Sequence, residues 1–337
     1  MPEPSVSGLV FVVAGGVLQG AFMAPVKFIR EWAWENYWLV FSLTSYLVIP
    51  WLIAVFTVPR LFEIYGGAAP AALITVAIFG VGWGIGALAF GLGVERLGMS
   101  LGFAIIIGTA TIVGTLIPLL TATPANLTHT KFLLILGGLA ITVAGVGVCS
   151  SSGKWKESGT SRSGQYGRGV LICIASGTLS ACGNLGLAFG TAITSRAVLL
   201  GVPDAVAPNA LWSLLTLPLF LCNFGFSLFR LGRHGTLARF GTATWKRNSL
   251  LAISMGVMWM TGLSMYGSGA KRLGSVGTSL GFAIFMSSTV LVATTLGILT
   301  GEWRGAPAKA MSKMGAGVAI LLVAICLLAA MNHSIQR

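Results

Sequence analysis

The chain has 337 residues, of which 55% are hydrophobic and only 9% are charged. Its 21 basic and 8 acidic side chains are too few to give a globule of this size a polar surface, which excludes an ordinary soluble domain. The net charge of +13 does not indicate a nucleic-acid partner, because the basic residues lie between apolar runs and form no patch interleaved with aromatic residues.

The hydropathy of the chain predicts ten transmembrane helices of about 20 residues each. In chain order they cover about 7–26, 38–58, 70–92, 99–120, 132–150, 169–190, 210–229, 249–269, 275–299 and 314–332. Glycine supplies 46 residues, and small residues let helices approach one another closely in lipid. We therefore expect an all-α integral membrane protein whose helices pack as a bundle.

The polar stretch 151–168 separates a first five-helix repeat, 1–150, from a second, 169–337. We interpret the two halves as copies because they share sequence: RLGMSLGFAI at 96–105 returns as RLGSVGTSLGFAI at 272–284. Upstream, at a constant offset of 176, four residues recur in the second half: Trp83, Gly86, Gly91 and Gly93 as Trp259, Gly262, Gly267 and Gly269.

Each repeat has an odd number of spans, so the second copy enters the membrane from the side opposite to the first. The sequence therefore predicts two inverted repeats, an arrangement typical of secondary carriers. Loops on the side of the N-terminus hold 6 Lys and Arg residues, and loops on the other side hold 15. Because basic loops are usually cytoplasmic, we expect both termini outside and the linker 151–168 inside.

Motifs of enzymes and of metal sites are absent from the sequence, which has no Walker loop, no HExxH and no nucleophile elbow. We therefore predict a carrier that has no cofactor or metal and is not an enzyme. The cysteines lie within apolar runs and have no CxxC spacing, so we interpret them as packing residues. They are Cys149, Cys173, Cys182, Cys222 and Cys326.

A polyol substrate is usually held by hydrogen bonds and by an aromatic platform against its C–H face. Trp83 and Trp259 lie well inside their spans and are related by the repeat, so we predict that they form this platform together with Tyr266. Gln19 and Asn184 cannot easily bond their own backbone from the middle of a span, and we predict that they bind substrate. The alternatives are an interfacial position for the tryptophans and packing for the rest.

All eight acidic residues lie in loops or at the ends of predicted spans. None is expected at the membrane midplane, where an ionisable residue usually marks a coupling site. Glu35 and Glu95 are the two that could line a cavity at the cytoplasmic end, and we predict that one of them accepts the coupled proton. The alternative is an interfacial charge paired with Lys27 or Arg96.

Several strings in the first half resemble the bacterial L-rhamnose–proton symporter family of the drug/metabolite transporter superfamily. They are Ala24-Pro25, Lys27, Trp32, Trp34-Glu35, Trp38, Pro50-Trp51, GWGIG at 82–86, LGMS at 97–100 and VGTL at 113–116. The resemblance is dense over about 15–120 and thin in the second half. It implies a ten-helix carrier of the bacterial inner membrane that moves a 6-deoxyhexose together with protons.

Two departures from the family pattern keep other functions open. Where the family's third span carries Asn and Tyr, this chain has Ala87, Leu88, Ala89 and Phe90, and its ninth span has a plain run over 278–285. The leading hypothesis is uptake of L-rhamnose or a related small metabolite with protons, and the oligomeric state stays open. The alternatives are efflux or exchange of a less polar substrate, and a membrane enzyme acting on lipid-linked sugars.

The predicted orientation can be tested with single cysteines in the loops 151–168 and 230–248, introduced into a variant without its native cysteines. Both should resist an impermeant thiol reagent in intact cells, because both loops are expected to face the cytoplasm. A single cysteine in the loop 191–209, on the opposite side, is the control that should be labelled. Labelling of the first two loops from outside would overturn the orientation.

Overall fold

The computed structural model of the protein describes the backbone of residues 6–97, 99–121, 128–154, 166–301 and 303–336. Its helices are α1 (Val6–Ala21), α2 (Trp34–Ser42), α3 (Ile49–Thr57), α4 (Leu61–Gly66), α5 (Pro70–Leu97), α6 (Met99–Thr121), α7 (His129–Lys154), α8 (Tyr166–Ser180), α9 (Cys182–Phe189), α10 (Thr191–Leu199), α11 (Pro208–His234), α12 (Trp245–Arg272), α13 (Gly277–Leu299) and α14 (Ala308–Gln336). Within these residues ten segments are long and apolar enough to cross a membrane. The predicted ten-span helical protein is confirmed.

The second and sixth spans are each built from more than one helical segment. The second span joins α2 to α3 through a π-helical turn, Leu43–Val48, in which the hydroxyls of Thr44 and Ser45 bond backbone carbonyls of the preceding turn. The sixth span consists of α8, α9 and α10, and Gly190 ends α9 and begins α10. Hydropathy cannot show such breaks, because the residues around them are as apolar as the rest of the span.

Several helices continue beyond the predicted spans. α7 runs to Lys154 and α8 begins at Tyr166, so both ends of the predicted linker 151–168 are helical. Residues 155–165 of that linker lie outside the described residues. In the second half, the extra residues of the repeated string fall in and just after a 3-10 turn, Gly274–Val276.

Helices of the two halves pack against each other in matching pairs. α1 packs against α12 and α13, and α8, the corresponding helix of the second half, packs against α5 and α6. α5 also packs against α11, as α12 does against α2. α7 and α14 pack together as the last span of each half. If each span of the first half is exchanged with the corresponding span of the second half, every contact in this set becomes a contact of the same set.

The contact between α1 and α12 is a contact of backbones. A Cβ atom added at Gly15 would lie 2.6 Å from the Gly262 carbonyl oxygen, and one added at Gly262 would lie 2.9 Å from the Gly15 carbonyl oxygen. Two turns further along the same crossing, a Cβ atom at Gly269 would lie 2.8 Å from the Gly8 carbonyl oxygen. Because no larger side chain fits at this crossing, its glycines set the distance between the first and eighth spans.

Three glycines of α5 each face the thiol of a cysteine on a neighbouring helix: Gly82 faces Cys182, Gly84 faces Cys222, and Gly93 faces Cys173. All five cysteines are free thiols. These contacts agree with the interpretation of the cysteines as small residues that let helices approach closely. They also hold α5 between α8, α9 and α11, which fixes where the side chains of its middle turns lie.

Candidate functional site

The structure brings the predicted binding residues together in the middle of the bundle. Trp83 lies on α5, Trp259 and Tyr266 lie on α12, Asn184 lies on α9 and Gln19 lies on α1. They form an aromatic group around the two tryptophans and a hydrogen-bonded group around Asn184. The glycine crossing of α1 and α12 positions Gln19 beside these groups. The backbone of Gln19 lies against Gly262 of α12, and Gly262 lies between Trp259 and Tyr266 in the sequence.

The two predicted platform tryptophans are in contact with each other. The ring centroids of Trp83 and Trp259 lie 5.4 Å apart, with an angle of 30° between the ring planes. Tyr46 meets Trp259 edge-on at 4.8 Å, and Trp212 lies 6.3 Å from Trp83. The repeat-related pair therefore faces the same central region, as its position in the sequence indicates. A sugar cannot lie between the two rings in this conformation.

Asn184 is the centre of a hydrogen-bond network that joins four spans. Its Nδ2 donates to the backbone carbonyls of Gly114 on α6 and Thr278 on α13, at 2.7 and 2.9 Å. Its Oδ1 accepts a hydrogen bond from the Tyr266 hydroxyl on α12. The sequence indicated that Asn184 needs partners, and the structure supplies them from the protein itself. Both amide hydrogens are therefore occupied in this conformation.

Gln19 Oε1 and Trp212 Nε1 are among the buried polar atoms that have no hydrogen-bond partner in the described structure. A buried polar group without a partner is costly in lipid-like surroundings. Gln19 was predicted from the sequence, but Trp212 was not, because it lies near the start of its predicted span, where an interfacial position is the usual interpretation. Both atoms are available to a ligand or to water if the centre of the bundle opens.

A cavity of about 390 Å³ opens at the end of the bundle beyond Asn184, between α6, α9, α10, α12 and the turn before α13. This volume lies within the range of about 300–1,000 Å³ that is usual for small-molecule sites. Its lining combines apolar side chains, including Leu187 and Phe189, with Lys271, whose amine lies 3.3 Å from Asp204 Oδ1. Hydroxyl-bearing residues also line it: Thr121, Thr191, Thr194, Ser275 and Thr278.

The extra residues of the second repeat build part of this cavity. Ser275 and Thr278 both line it, and they belong to the portion of the repeated string that the first half lacks. The Thr278 carbonyl also accepts the hydrogen bond from Asn184, so the network of Asn184 and Tyr266 lies directly at the cavity floor. The sequence showed the insertion, but it could not show that a cavity results.

A buried carboxylate lies beside the C-terminal end of α11. Glu35, in the first turn of α2, has a side chain that is 3% exposed. Its Oε1 lies 3.1 Å from His234 Nδ1 and accepts a hydrogen bond of 2.9 Å from the Thr236 hydroxyl, and its Oε2 lies 3.9 Å from Arg230 Nε. The N-terminus of a helix also favours a negative charge. Glu95 lies on α5, and its side chain lies outside the described residues.

The sequence offered Lys27 or Arg96 as partners for Glu35 and Glu95, whereas the partners of Glu35 in the structure are Arg230 and His234. His234 is 199 positions from Glu35 along the chain and Arg230 lies one turn before it on α11, so no local pattern connects them to Glu35. Charged residues at the end of a predicted span indicate only that they lie near the membrane surface. The pairing results from the packing of α2 against α11.

The same end of the bundle is closed by contacts between residues 30–36 and residues 236–248. Across this boundary, the side-chain amides of Asn36 and Asn248 donate to the carbonyls of Thr236 and Arg30, at 3.0 and 2.6 Å. The Trp32 indole donates to the Arg239 carbonyl. Glu31, which holds a left-handed φ of 65°, accepts a hydrogen bond from the Thr244 hydroxyl. We call this set of contacts the closed end.

A ten-span bundle with a polar cavity at one end and a hydrogen-bonded closure at the other has the architecture of a membrane carrier for small solutes. The model of the L-rhamnose-proton symport protein family matches residues 1–332. The chain therefore belongs to this family, whose proteins are transporters and not enzymes. The match includes the second half, where the resemblance read from the sequence was thin.

Curated relatives agree with the family. The L-rhamnose-proton symporters of Klebsiella pneumoniae subsp. pneumoniae and of Salmonella gallinarum are each 28% identical to this chain over 327 residues. The alignments cover 94% of this chain and 95% of each relative. The family assignment does not favour the efflux carrier or the membrane enzyme that the sequence left open.

The contrast between Gln19 and Asn184 gives a test of which residue binds substrate. Gln19→Leu removes an unpaired buried oxygen, so it should leave the melting temperature in detergent unchanged or higher, while the affinity for substrate falls several-fold. Asn184→Leu removes the side-chain donor to the Gly114 carbonyl and the acceptor of the Tyr266 hydroxyl, so it should lower stability by about 1–3 kcal/mol. Thermal unfolding and radioligand binding measure the two effects. Unchanged affinity in a stable Gln19→Leu variant would remove Gln19 from the site.

Proposed function

We propose that this protein takes up L-rhamnose, or a closely related sugar, together with protons across a bacterial inner membrane. The observation that carries the proposal is the difference between the two ends of the bundle. A cavity lined by hydroxyls opens at one end, and the closed end seals the other. A carrier that works by alternating access exposes its site to one side of the membrane at a time.

The chemistry of the cavity fits a 6-deoxyhexose. Such a sugar presents several hydroxyls and one methyl group, and the cavity offers threonine and serine hydroxyls beside apolar groups such as Leu187 and Phe189. Beyond the floor lie the Asn184–Tyr266 hydrogen bond, the unpaired Gln19 oxygen, and the Trp83–Trp259 pair. We propose that the sugar reaches this central group when the floor opens, and that these five residues bind it.

The proposed movement is a rearrangement of two inverted five-helix repeats, 1–150 and 169–337. Support comes from the helix contacts, since exchanging the halves maps the packing of α1 on α12 onto that of α8 on α5. Repeats related in this way can exchange conformations, which opens one end while closing the other. On this proposal the closed end separates when the cavity closes.

We place the closed end in the cytoplasm and the cavity and both termini outside. The count of Lys and Arg supports this orientation, with 15 residues in the loops of the closed-end side and 6 on the other. Sugar would then enter the cavity from outside. Cysteine labelling of the loops 151–168 and 230–248, described above, tests the orientation.

Glu35 is our candidate for the residue that carries the coupled proton. It is a buried carboxylate in the closed end, in contact with a histidine and within reach of an arginine. A buried carboxylate in a membrane protein is costly unless it is paired or protonated, which is why such residues often bind protons during transport. Glu95 remains a second candidate and is tested beside it.

Uptake of radiolabelled L-rhamnose into proteoliposomes tests the function. An acidic outside should drive accumulation, and Glu35→Gln should abolish accumulation while counterflow exchange of the sugar continues, because a neutral amide cannot gain and lose the proton. Glu95→Gln is measured in parallel. Glu63→Gln is the matched control, since Glu63 is half-exposed and paired with Arg60 in the loop after the second span.

Absence of L-rhamnose uptake by wild-type protein under every gradient would overturn the proposed substrate. Accumulation that continues in a Glu35→Gln, Glu95→Gln double variant would reject both carboxylates as proton carriers. Loss of accumulation in the Glu63→Gln control would show that the effect of the other substitutions is not specific to coupling.

A further inference from the structure

Arg230 and Glu35 form an ion pair without a hydrogen bond. Its Nε atom is 3.9 Å from Glu35 Oε2, which is beyond hydrogen-bond distance. The same Nε atom is buried and has no hydrogen-bond partner. An unsatisfied N–H on a charged group carries a free-energy cost, so this position of the guanidinium needs another source of stability.

Aromatic rings supply that stability. The Arg230 guanidinium lies 5.8 Å from the ring centroid of Trp34 and 6.0 Å from that of Phe226. Cation–π attraction operates at these distances. Trp34 is held in turn by Phe226, which it meets edge-on, and by Trp38, on which it stacks at 5.2 Å. Arg230 therefore has two alternative partners within a short movement, the rings and the carboxylate.

The two oxygens of Glu35 have different surroundings. Oε1 is the one that contacts His234 and Thr236, and Oε2 is the one that faces Arg230. A proton on Oε2 would remove the negative charge that attracts the guanidinium. Without that proton, a movement of about 1 Å would bring Nε to the distance of a charge-assisted hydrogen bond.

We propose that Arg230 and the coupled proton compete for Glu35 Oε2. With the proton bound, the guanidinium remains on the rings of Trp34 and Phe226. When the O–H bond breaks and the proton passes to water at the closed end, the guanidinium moves to the carboxylate and takes the place of the proton at Oε2. The inference rests on the proposed function, in which Glu35 carries the proton, and it makes Arg230 the positioning residue that sets the pH range of transport.

The other charged and titratable groups around Glu35 differ from Arg230 in their contacts. Tyr37 is close to Glu35 on α2, and His234 contacts Oε1 in the structure described. Arg239, on the turn after α11, donates to the Glu31 carbonyl. Thr244, at the N-cap of α12, and Asn248, on α12, have neutral side chains that bond Glu31 and Arg30. Arg230 is thus the cation placed against Oε2.

The test compares Arg230→Gln, Arg230→Lys and, as the matched control, Arg233→Gln. Arg233 is exposed on the same helix, so the control removes the same charge without touching the Glu35 site. Infrared difference spectra over a pH series should contain a carboxylic-acid band that Glu35→Gln lacks. The pH at which half of this band is lost should rise by about one unit in Arg230→Gln. It should rise less in Arg230→Lys, and it should not change in Arg233→Gln.

Proton-driven uptake of L-rhamnose by the same variants should shift with pH in the same order. An unchanged Glu35 band in both Arg230 variants would overturn the competition, whatever the uptake measurements show. If Arg230→Gln does not fold, the Lys variant decides the question alone, because it keeps the charge and changes only its placement. A shifted band in a protein that does not transport L-rhamnose would support the competition while overturning the proposed substrate.

Discussion

Close contact between helix backbones is the constraint on which the rest of this structure depends. In lipid, helices gain no hydrophobic energy by leaving the solvent for one another, so packing must replace it. At the α1–α12 crossing, Gly15 and Gly262 approach so closely that a single added Cβ atom would collide with a carbonyl oxygen. This crossing brings Gln19 beside the turns that carry Trp259 and Tyr266. The candidate site is therefore a consequence of where the glycines lie.

The second constraint is that polar groups inside the membrane must find partners within the protein. Asn184 satisfies it completely by bonding α6, α12 and α13, and in doing so it holds the floor of the cavity. Gln19 Oε1, Trp212 Nε1 and Arg230 Nε do not satisfy it. In a carrier this difference has a physical meaning, because a group that is unpaired in one conformation can be paired in another, or by the substrate. The movement and the site are thus linked through the same few atoms.

The sequence predicted the ten spans well because hydropathy over 20 residues is a strong signal. It also predicted that Trp83 and Trp259 face the same region, because the repeat relates them. It did not predict the breaks at Leu43–Val48 and Gly190, which depend on hydrogen bonds and not on composition. The pairing of Glu35 with His234 and Arg230 was equally invisible, since it depends on the tertiary arrangement of two distant helices. The cavity depends on a short insertion whose effect appears only in three dimensions.

In a symporter, binding of L-rhamnose and binding of protons are coupled. Isothermal titration calorimetry of L-rhamnose binding, repeated in buffers of different ionisation enthalpy, measures this coupling without a membrane or a gradient. We expect the observed heat to depend on the buffer in the direction of proton uptake, and we expect this dependence to disappear in Glu35→Gln while the sugar still binds. Binding heats that are the same in every buffer for the wild-type protein would contradict it.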